Sequence, residues 1–123
     1  MAVQSFELAW ISVSDIAKAR KFFVDTLGMK IVSDHSEFNW LEVEGQNGGA
    51  RIGIGSCGEQ SPLKPGNNAV ISLTVDDIVA TKKMLEGKGV TIIGDIMEVP
   101  GQVKLLLIQD LDKNLIHLCQ KIS

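Results

Sequence analysis

The sequence predicts an α+β fold in which two tandem βαβββ modules form curved mixed sheets around a cup, with the helices on the outside. The main observation is a strand that runs directly into a helix near the N-terminus and recurs 62 positions later. A repeat of this size indicates two similar units that bury their faces against a shared core. Three residue pairs show the offset: Leu8 and Val70, Val13 and Val75, and Ile16 and Ile78.

The first strand is predicted over Phe6–Val13, where both sets of alternate positions are largely apolar. Such a strand should be covered by a helix on one face and should line an enclosed space on the other. Ser14 and Asp15 supply oxygens that cap a helix start, and Gly28 is suited to the left-handed conformation that ends a helix. The predicted helix therefore follows the strand at once and stops at Gly28.

Both modules then continue with three strands each. In the first module, strands are predicted at Met29–Ser33, Phe38–Glu44 and Ala50–Ile54, separated by the polar turns Asp34–Glu37 and Gln46–Gly49. The second module is predicted as Val70–Val75, a helix from Asp76 or Asp77 to about Lys88, and strands Thr91–Val99, Gln102–Gln109 and Leu115–Gln120. We expect one domain, with a first module at about 5–55, a linker at 56–68 rich in Gly, Pro and Asn, and a second module at about 69–121.

Composition excludes several classes of protein. The chain has 123 residues and a formal net charge of −3, with no basic stripe, so we predict no nucleic-acid partner. No segment reaches the run of about 18 apolar residues that a membrane helix needs. Cys57 and Cys119 lack metal-site or redox spacing, and the N-terminus has no signal-peptide features, so we expect reduced thiols and a cytoplasmic location.

Four segments are specific in combination: Ile11–Ile16, the helix end Phe22-Phe23 to Leu27-Gly28, Val75–Ile78, and Asp110-x-Asp112-x-Asn114 followed by Ile116–Leu118. Together they resemble the vicinal oxygen chelate superfamily, which includes glyoxalase I, extradiol dioxygenases and bleomycin-resistance proteins. The likeness spans about residues 5–121, and it departs from the family pattern where Leu111 and Lys113 replace the usual Pro and Gly.

The resemblance implies a divalent metal held by side chains from the first and last strands of each module. Carried onto this chain, those positions are Leu8, Gly53, Val70 and His117. Three of them lack a donor atom, and a lone imidazole holds a metal weakly. We therefore predict no metal cofactor. The alternative is a displaced site that uses Glu7, Glu42 or His35, but a shift of one residue in a strand sends every side chain to the other sheet face.

Side chains expected to line the cup are aromatic or apolar, together with three polar groups, which is a composition typical of small-molecule pockets. Trp10 and Trp40 are the expected stacking walls for a flat or aromatic ligand. The competing interpretation is that the apolar and aromatic residues fill a closed core, that Arg51 pairs with Glu42 across strands on an exposed edge, and that His117 is a structural residue. The predicted ligand-binding residues are Phe6, Leu8, Trp10, Phe38, Trp40, Glu42, Arg51, Val70 and His117.

Three hypotheses about function follow. The preferred one is a metal-free protein that binds a small aromatic or apolar molecule, as the bleomycin-resistance branch does, and the resemblance implies a homodimer. The alternative is a lyase, isomerase or dioxygenase-like enzyme with displaced metal ligands, or with His117 as a weak candidate for a general base near Arg51. The third is a structural or regulatory subunit with a closed core.

Overall fold

The computed structural model describes residue 4 and residues 8–60, 64–66 and 70–122. The chain forms two compact units, which divide between Lys64 and Pro65, inside the predicted linker. Each unit has the order βαβββ, and each contains a four-stranded mixed sheet with one helical segment packed against it. The predicted α+β fold with two tandem modules is therefore confirmed, while the grouping of both units into one domain stays a prediction.

The first unit contains strands β1 to β4 and helix α1. In the sheet, the order of strands is β1-β4-β3-β2; β1 pairs with β4 in parallel, and the other pairs are antiparallel. The parallel pair is possible because α1 provides the crossover between β1 and the rest of the sheet. The elements are β1 (Ala9–Ser12), α1 (Ile16–Arg20), β2 (Lys30–His35), β3 (Trp40–Gly45) and β4 (Gly48–Gly55).

The second unit repeats this arrangement. Its sheet has the order β5-β8-β7-β6, again with one parallel pair, between β5 and β8. Its core consists of the buried face of β7 and β8 and the buried face of the helix. The elements are β5 (Ile71–Thr74), α2 (Ile78–Gly87), β6 (Thr91–Val99), β7 (Val103–Gln109) and β8 (Leu115–Lys121).

The repeat extends to the hydrogen bonds that start each helix. The Asp15 carboxylate accepts from the backbone N–H of Lys18, and the Asp77 carboxylate accepts from that of Ala80, both at 3.0 Å. These bonds satisfy N–H groups that have no partner inside the helix. The residue two before each cap donates its backbone N–H to the last strand of its own unit, as Val13 does to Gly55 at 2.9 Å.

Local geometry differs from the sequence prediction mainly in the first unit. The strand predicted from Ala50 begins at Gly48, so the turn predicted at Gln46–Gly49 contains only Gln46 and Asn47. The strand predicted from Phe38 begins at Trp40, so its start was wrong: Ser36–Phe38 form a 3-10 turn, and Asn39 has a left-handed backbone with φ 59°. The connection lies two residues later than the turn predicted at Asp34–Glu37, because β2 continues to His35 and β3 begins at Trp40. In addition, α1 continues as a π-helical segment, Lys21–Thr26, before ending at Gly28 with the predicted positive φ, here 71°.

The acidic motif Asp110-x-Asp112-x-Asn114 forms the turn between β7 and β8, in which Asp110 and Asn114 are buried. The Asp110 carboxylate accepts from the backbone N–H groups of Asp112 and Asn114, at 2.9 and 2.8 Å, and from the Asn114 side-chain amide at 2.9 Å. The Asn114 side-chain oxygen in turn accepts from the Gly66 N–H at 2.9 Å. Burial raises the pKa of Asp110 above its usual value, although these bonds oppose the shift. The motif thus fixes a turn and ties the Gly66 segment to it.

Candidate functional site

The sheet of the first unit has one buried face and one face with open positions. On β3 and β4, Leu41, Val43, Ile52 and Ile54 are buried, and α1 packs against these two strands. Side chains alternate along a strand, so the intervening residues lie on the other face. We call this second face the tryptophan face, and we define it by Leu8, Trp10, Trp40, Glu42, Arg51, Gly53 and Gly55.

The Trp40 indole lies over β4, along the line from Gly55 to Gly53. A Cβ atom placed on Gly53 would lie 2.5 and 2.6 Å from Cη2 and Cζ2 of Trp40, and 2.7 Å from a methyl group of Leu8. A Cβ atom on Gly55 would lie 3.0 Å from Cε3 of the same ring. Such distances at Gly53 are impossible for a real Cβ, so only glycine lets the ring rest on the backbone. Two glycines therefore form the seat of the indole.

Trp10 completes the aromatic pair. It lies on β1 directly opposite Gly53, and its ring centroid is 5.5 Å from that of Trp40, with 63° between the ring planes. This edge-to-face geometry is one that aromatic pairs prefer. The Trp10 residue is 38% exposed and Trp40 is half-buried. The pair therefore presents aromatic surface to the solvent, and the two rings do not close off this face.

The Glu42 carboxylate accepts hydrogen bonds from both the Trp40 indole and the Arg51 guanidinium. One oxygen of its carboxylate accepts from Nε1 of Trp40 at 2.9 Å, and the other accepts from the Arg51 guanidinium at 3.0 Å. The hydrogen bond from Trp40, followed by that from Arg51, lowers the pKa of Glu42 below its usual value. The cross-strand pairing of Arg51 with Glu42 that the competing interpretation predicts is therefore present. The same carboxylate also orients the Trp40 ring through its hydrogen bond to Nε1.

Of the remaining candidate residues of the first unit, the structure describes Phe38 and His35. Phe38 is 77% exposed and lies in the turn before β3, so it is not part of the tryptophan face. Phe6 and Glu7 lie outside the described residues. His35 lies opposite Trp40 on the neighbouring strand β2, and its imidazole is 3.8 Å from the Glu37 carboxylate.

The other two predicted residues belong to the second unit. His117 is half-buried in the middle of β8, where its register neighbours are Ser72 on β5 and Leu107 on β7. Val70 immediately precedes β5 and is exposed. His117 occupies the position in the second unit that Gly53 occupies in the first, because Ser72 corresponds to Trp10 at the repeat offset.

The residues at the positions of the family's metal ligands do not fit a divalent metal. Leu8 and Gly53 offer no side-chain donor, and the space above Gly53 is filled by the Trp40 ring and a Leu8 methyl group. Glu42, a candidate for a displaced ligand, has each oxygen in a hydrogen bond. Nowhere in residues 8–60, 64–66 or 70–122 do three His, Cys, Asp or Glu side chains come together as a metal site would require.

Sequence reasoning missed how these residues work together. In the sequence-based predictions, Gly53 is only a position without a metal donor and Gly55 has no role, whereas in the structure both glycines lie under the Trp40 indole. The signal is present in the sequence as Trp-x-Glu on one strand and Gly-x-Gly on the next. Because the strand register decides that Trp40 lies beside Gly55 and Glu42 beside Gly53, the pattern has meaning only once the pairing is known.

Comparisons with known proteins agree with this fold. The model of the Glyoxalase/Bleomycin resistance protein/Dioxygenase superfamily matches residues 5–118. The search of curated proteins gave no match. Among solved structures, TnmS3, an antibiotic binding protein from Streptomyces sp. CB03234, is 28% identical with a TM-score of 0.74, and 98% of each chain is covered.

Two further solved structures have the same fold. A member of the superfamily from Sphaerobacter thermophilus DSM 20745 is 26% identical with a TM-score of 0.78, over 97% of this chain and 100% of that one. TioX from Micromonospora sp. ML1, at 15% identity and a TM-score of 0.72, covers 97% of this chain and 98% of its own, and shows the fold alone. With the family model matching nearly the whole chain, the protein belongs to the Glyoxalase/Bleomycin resistance protein/Dioxygenase superfamily.

Proposed function

We propose that the protein is a metal-free binding protein that holds a flat aromatic or apolar organic molecule on the tryptophan face. The observation that carries this proposal is the fixed and open tryptophan pair. Trp40 is seated on two glycines and hydrogen-bonded to Glu42, while Trp10 remains exposed beside it. An aromatic surface that is held in one orientation binds a flat ligand with little loss of conformational entropy.

The similarity to TnmS3 supports a binding function. That protein is an antibiotic binding protein, and it shares 28% of its residues with this chain over almost the full length of both. The misfit of the metal positions also favours binding, because the family's Lewis-acid chemistry depends on the ion.

We further propose a homodimer in the cytoplasm. Exposed apolar side chains on the edge strand β6, described below, favour association with a second copy. The unpaired thiols of Cys57 and Cys119 favour a reducing compartment. No helix among the described residues is long and apolar enough to cross a membrane.

Tryptophan emission provides a direct test of the binding proposal. The chain has two tryptophans and no tyrosine, so emission reports on Trp10 and Trp40 alone. Titration with a set of flat aromatic compounds should quench or shift the emission, and the Trp10→Phe and Trp40→Phe variants should each bind more weakly. Phe38→Ala, which removes an exposed aromatic ring outside this face, is the matched control and should bind normally. A folded protein whose emission responds to none of the compounds would refute the proposal.

A further inference from the structure

The two charged side chains of the tryptophan face differ in the hydrogen-bonding capacity they have left. Both oxygens of Glu42 accept hydrogen bonds, and its side chain is only 18% exposed. Arg51 has a side chain that is 47% exposed and a guanidinium with five N–H donors in a planar fork. Among the described residues, its hydrogen-bond partner is Glu42 alone, reached through one terminal nitrogen. The face therefore offers unused donors, and they belong to Arg51.

These donors are close to the aromatic surface. Arg51 is two residues before Gly53 on β4, so it lies on the same face, about 7 Å along the strand from the seat of the Trp40 ring. A bicyclic aromatic molecule resting against the indoles spans a similar length, so a substituent at its end reaches the guanidinium. A guanidinium binds a carboxylate through two parallel N–H···O bonds, which are among the stronger hydrogen bonds in proteins.

We propose, building on the binding function above, that the ligand is a flat aromatic compound that carries a carboxylate, and that Arg51 binds this group with the donors that Glu42 leaves unused. Glu42 is then a positioning residue: it orients the Trp40 ring and the Arg51 fork and does not contact the ligand. The face thus selects for an anionic substituent as well as for aromatic area.

Three matched probes test this inference: 2-naphthoate, neutral 2-naphthamide and the cation 2-naphthylmethylammonium. Affinities are measured by calorimetry, and the two indole N–H signals are followed in a ¹H–¹⁵N spectrum. We expect naphthoate to bind about tenfold more tightly than naphthamide, since the guanidinium then pairs with an anionic acceptor through two bonds and not with an uncharged carbonyl, at a half-exposed site. The ammonium compound should bind most weakly.

Variants then assign the selectivity to Arg51. Arg51→Met should abolish the preference for naphthoate, and naphthamide should still bind by stacking on the indoles, though more weakly because its hydrogen bond to Arg51 is lost. Lys30→Met is the charge-matched control: it removes one positive charge from the same sheet, where Lys30 pairs with Glu44 at 3.4 Å, and should keep the preference. Freed from Arg51, Glu42 repels an anion and turns the preference of the single variant toward naphthamide. The double variant Glu42→Gln with Arg51→Met removes this repulsion and should prefer neither naphthoate nor naphthamide.

The positioning role of Glu42 has its own readout. Glu42→Gln should shift one indole N–H signal and weaken the binding of naphthamide, while the preference for naphthoate persists because Arg51 remains. Equal affinities for naphthoate and naphthamide, or a preference that survives in the double variant, would overturn this inference and leave the binding function standing. Failure of all three probes to shift either indole signal would overturn both proposals.

Discussion

At the scale of single residues, the position of the Trp40 ring depends on the absence of a side chain at Gly53. Gly53→Ala places a Cβ atom 2.5 Å from the Trp40 ring, which cannot retreat without losing its bond to Glu42. We expect a loss of roughly 1–3 kcal/mol in the free energy of unfolding, as in other overpacked sites, and a shift of the Trp40 indole N–H signal. Denaturant unfolding and a ¹H–¹⁵N spectrum measure both.

The control for this change is Gly87→Ala at the end of α2. No atom lies within 4 Å of the Cβ position there, and the backbone φ is not positive. The variant should therefore be no less stable than the parent, because alanine is the better helix former. If the two alanine variants had the same stability and the indole signal stayed in place, the seat described for Trp40 would be incorrect.

The carboxylate of Glu42 makes the orientation of Trp40 depend on pH. Its pKa is lowered from an ordinary value of 4.5, first by the hydrogen bond from Trp40 and then by that from Arg51. A group whose pKa is lowered in the folded state stabilises the fold above the unfolded pKa, and this contribution is lost as the pH falls through the folded pKa. The indole N–H signal of Trp40 should thus be constant above pH 4.5 and move below it.

Glu42→Gln is the control for this titration, because its side chain does not ionise. In that variant the Trp40 signal should not follow the same acid transition. A Trp40 signal in the parent protein that changes only well above pH 4.5 would have another cause. That result would contradict the assignment of the transition to Glu42.

At the scale of secondary structure, the two helix caps give a matched pair of variants. Asp15→Ala and Asp77→Ala each remove a carboxylate that accepts a backbone N–H at 3.0 Å in the first turn of its helix. Each should lower the free energy of unfolding by about 1 kcal/mol. Asp76→Ala removes the same charge one residue before the Asp77 cap and should have a smaller effect. If only one of the Asp15→Ala and Asp77→Ala variants had a lower free energy of unfolding, the two caps would not contribute equally to stability, although they occupy equivalent positions in the repeat.

Elements of regular structure were largely predictable from the sequence, and their junctions were not. Asp caps, a terminating glycine and alternating apolar residues located both helices and most strands, because each is a local preference. The segment from Ser36 to Asn39 was assigned incorrectly because a left-handed Asn gives no periodic signal. The π-helical segment after α1 was likewise unforeseen, since its Leu27-to-Phe22 hydrogen bond depends on how two buried phenylalanines pack.

At the scale of the whole molecule, the repeat gives the two units the same fold, and the units differ in the side chains at equivalent positions of that fold. The central position of the last strand is Gly53 in one unit and His117 in the other, and their register neighbours differ in the same way. Trp10 stands opposite Gly53, whereas Ser72 stands opposite His117. The periodic pattern alone predicted the two units, but the seat of the indole joins Trp40 on β3 to Gly53 and Gly55 on β4, so it needed the pairing register.

The second unit has a row of exposed apolar side chains from which we predict the oligomeric state. On the edge strand β6, Met97 is 69% exposed, and the exposed Ile93 and Val99 lie on the same side of the sheet, opposite Leu107 and Val103. Leu106 and Ile108 occupy the other side, where α2 packs. A row of exposed apolar side chains on an edge strand is typical of an interaction surface.

We therefore expect a homodimer whose interface includes this row. Sedimentation analysis should give a dimer at micromolar concentration, and Met97→Glu should shift it toward the monomer, because an unpaired charge in an apolar interface is costly. Val79→Glu is the control: Val79 is another exposed apolar residue, on α2, and the variant should remain dimeric. If the parent protein stayed monomeric at high micromolar concentration, β6 would not mediate association. The same conclusion would follow if the Met97→Glu and Val79→Glu variants had the same sedimentation behaviour. The apolar side chains of β6 would then be available to solvent or to a ligand.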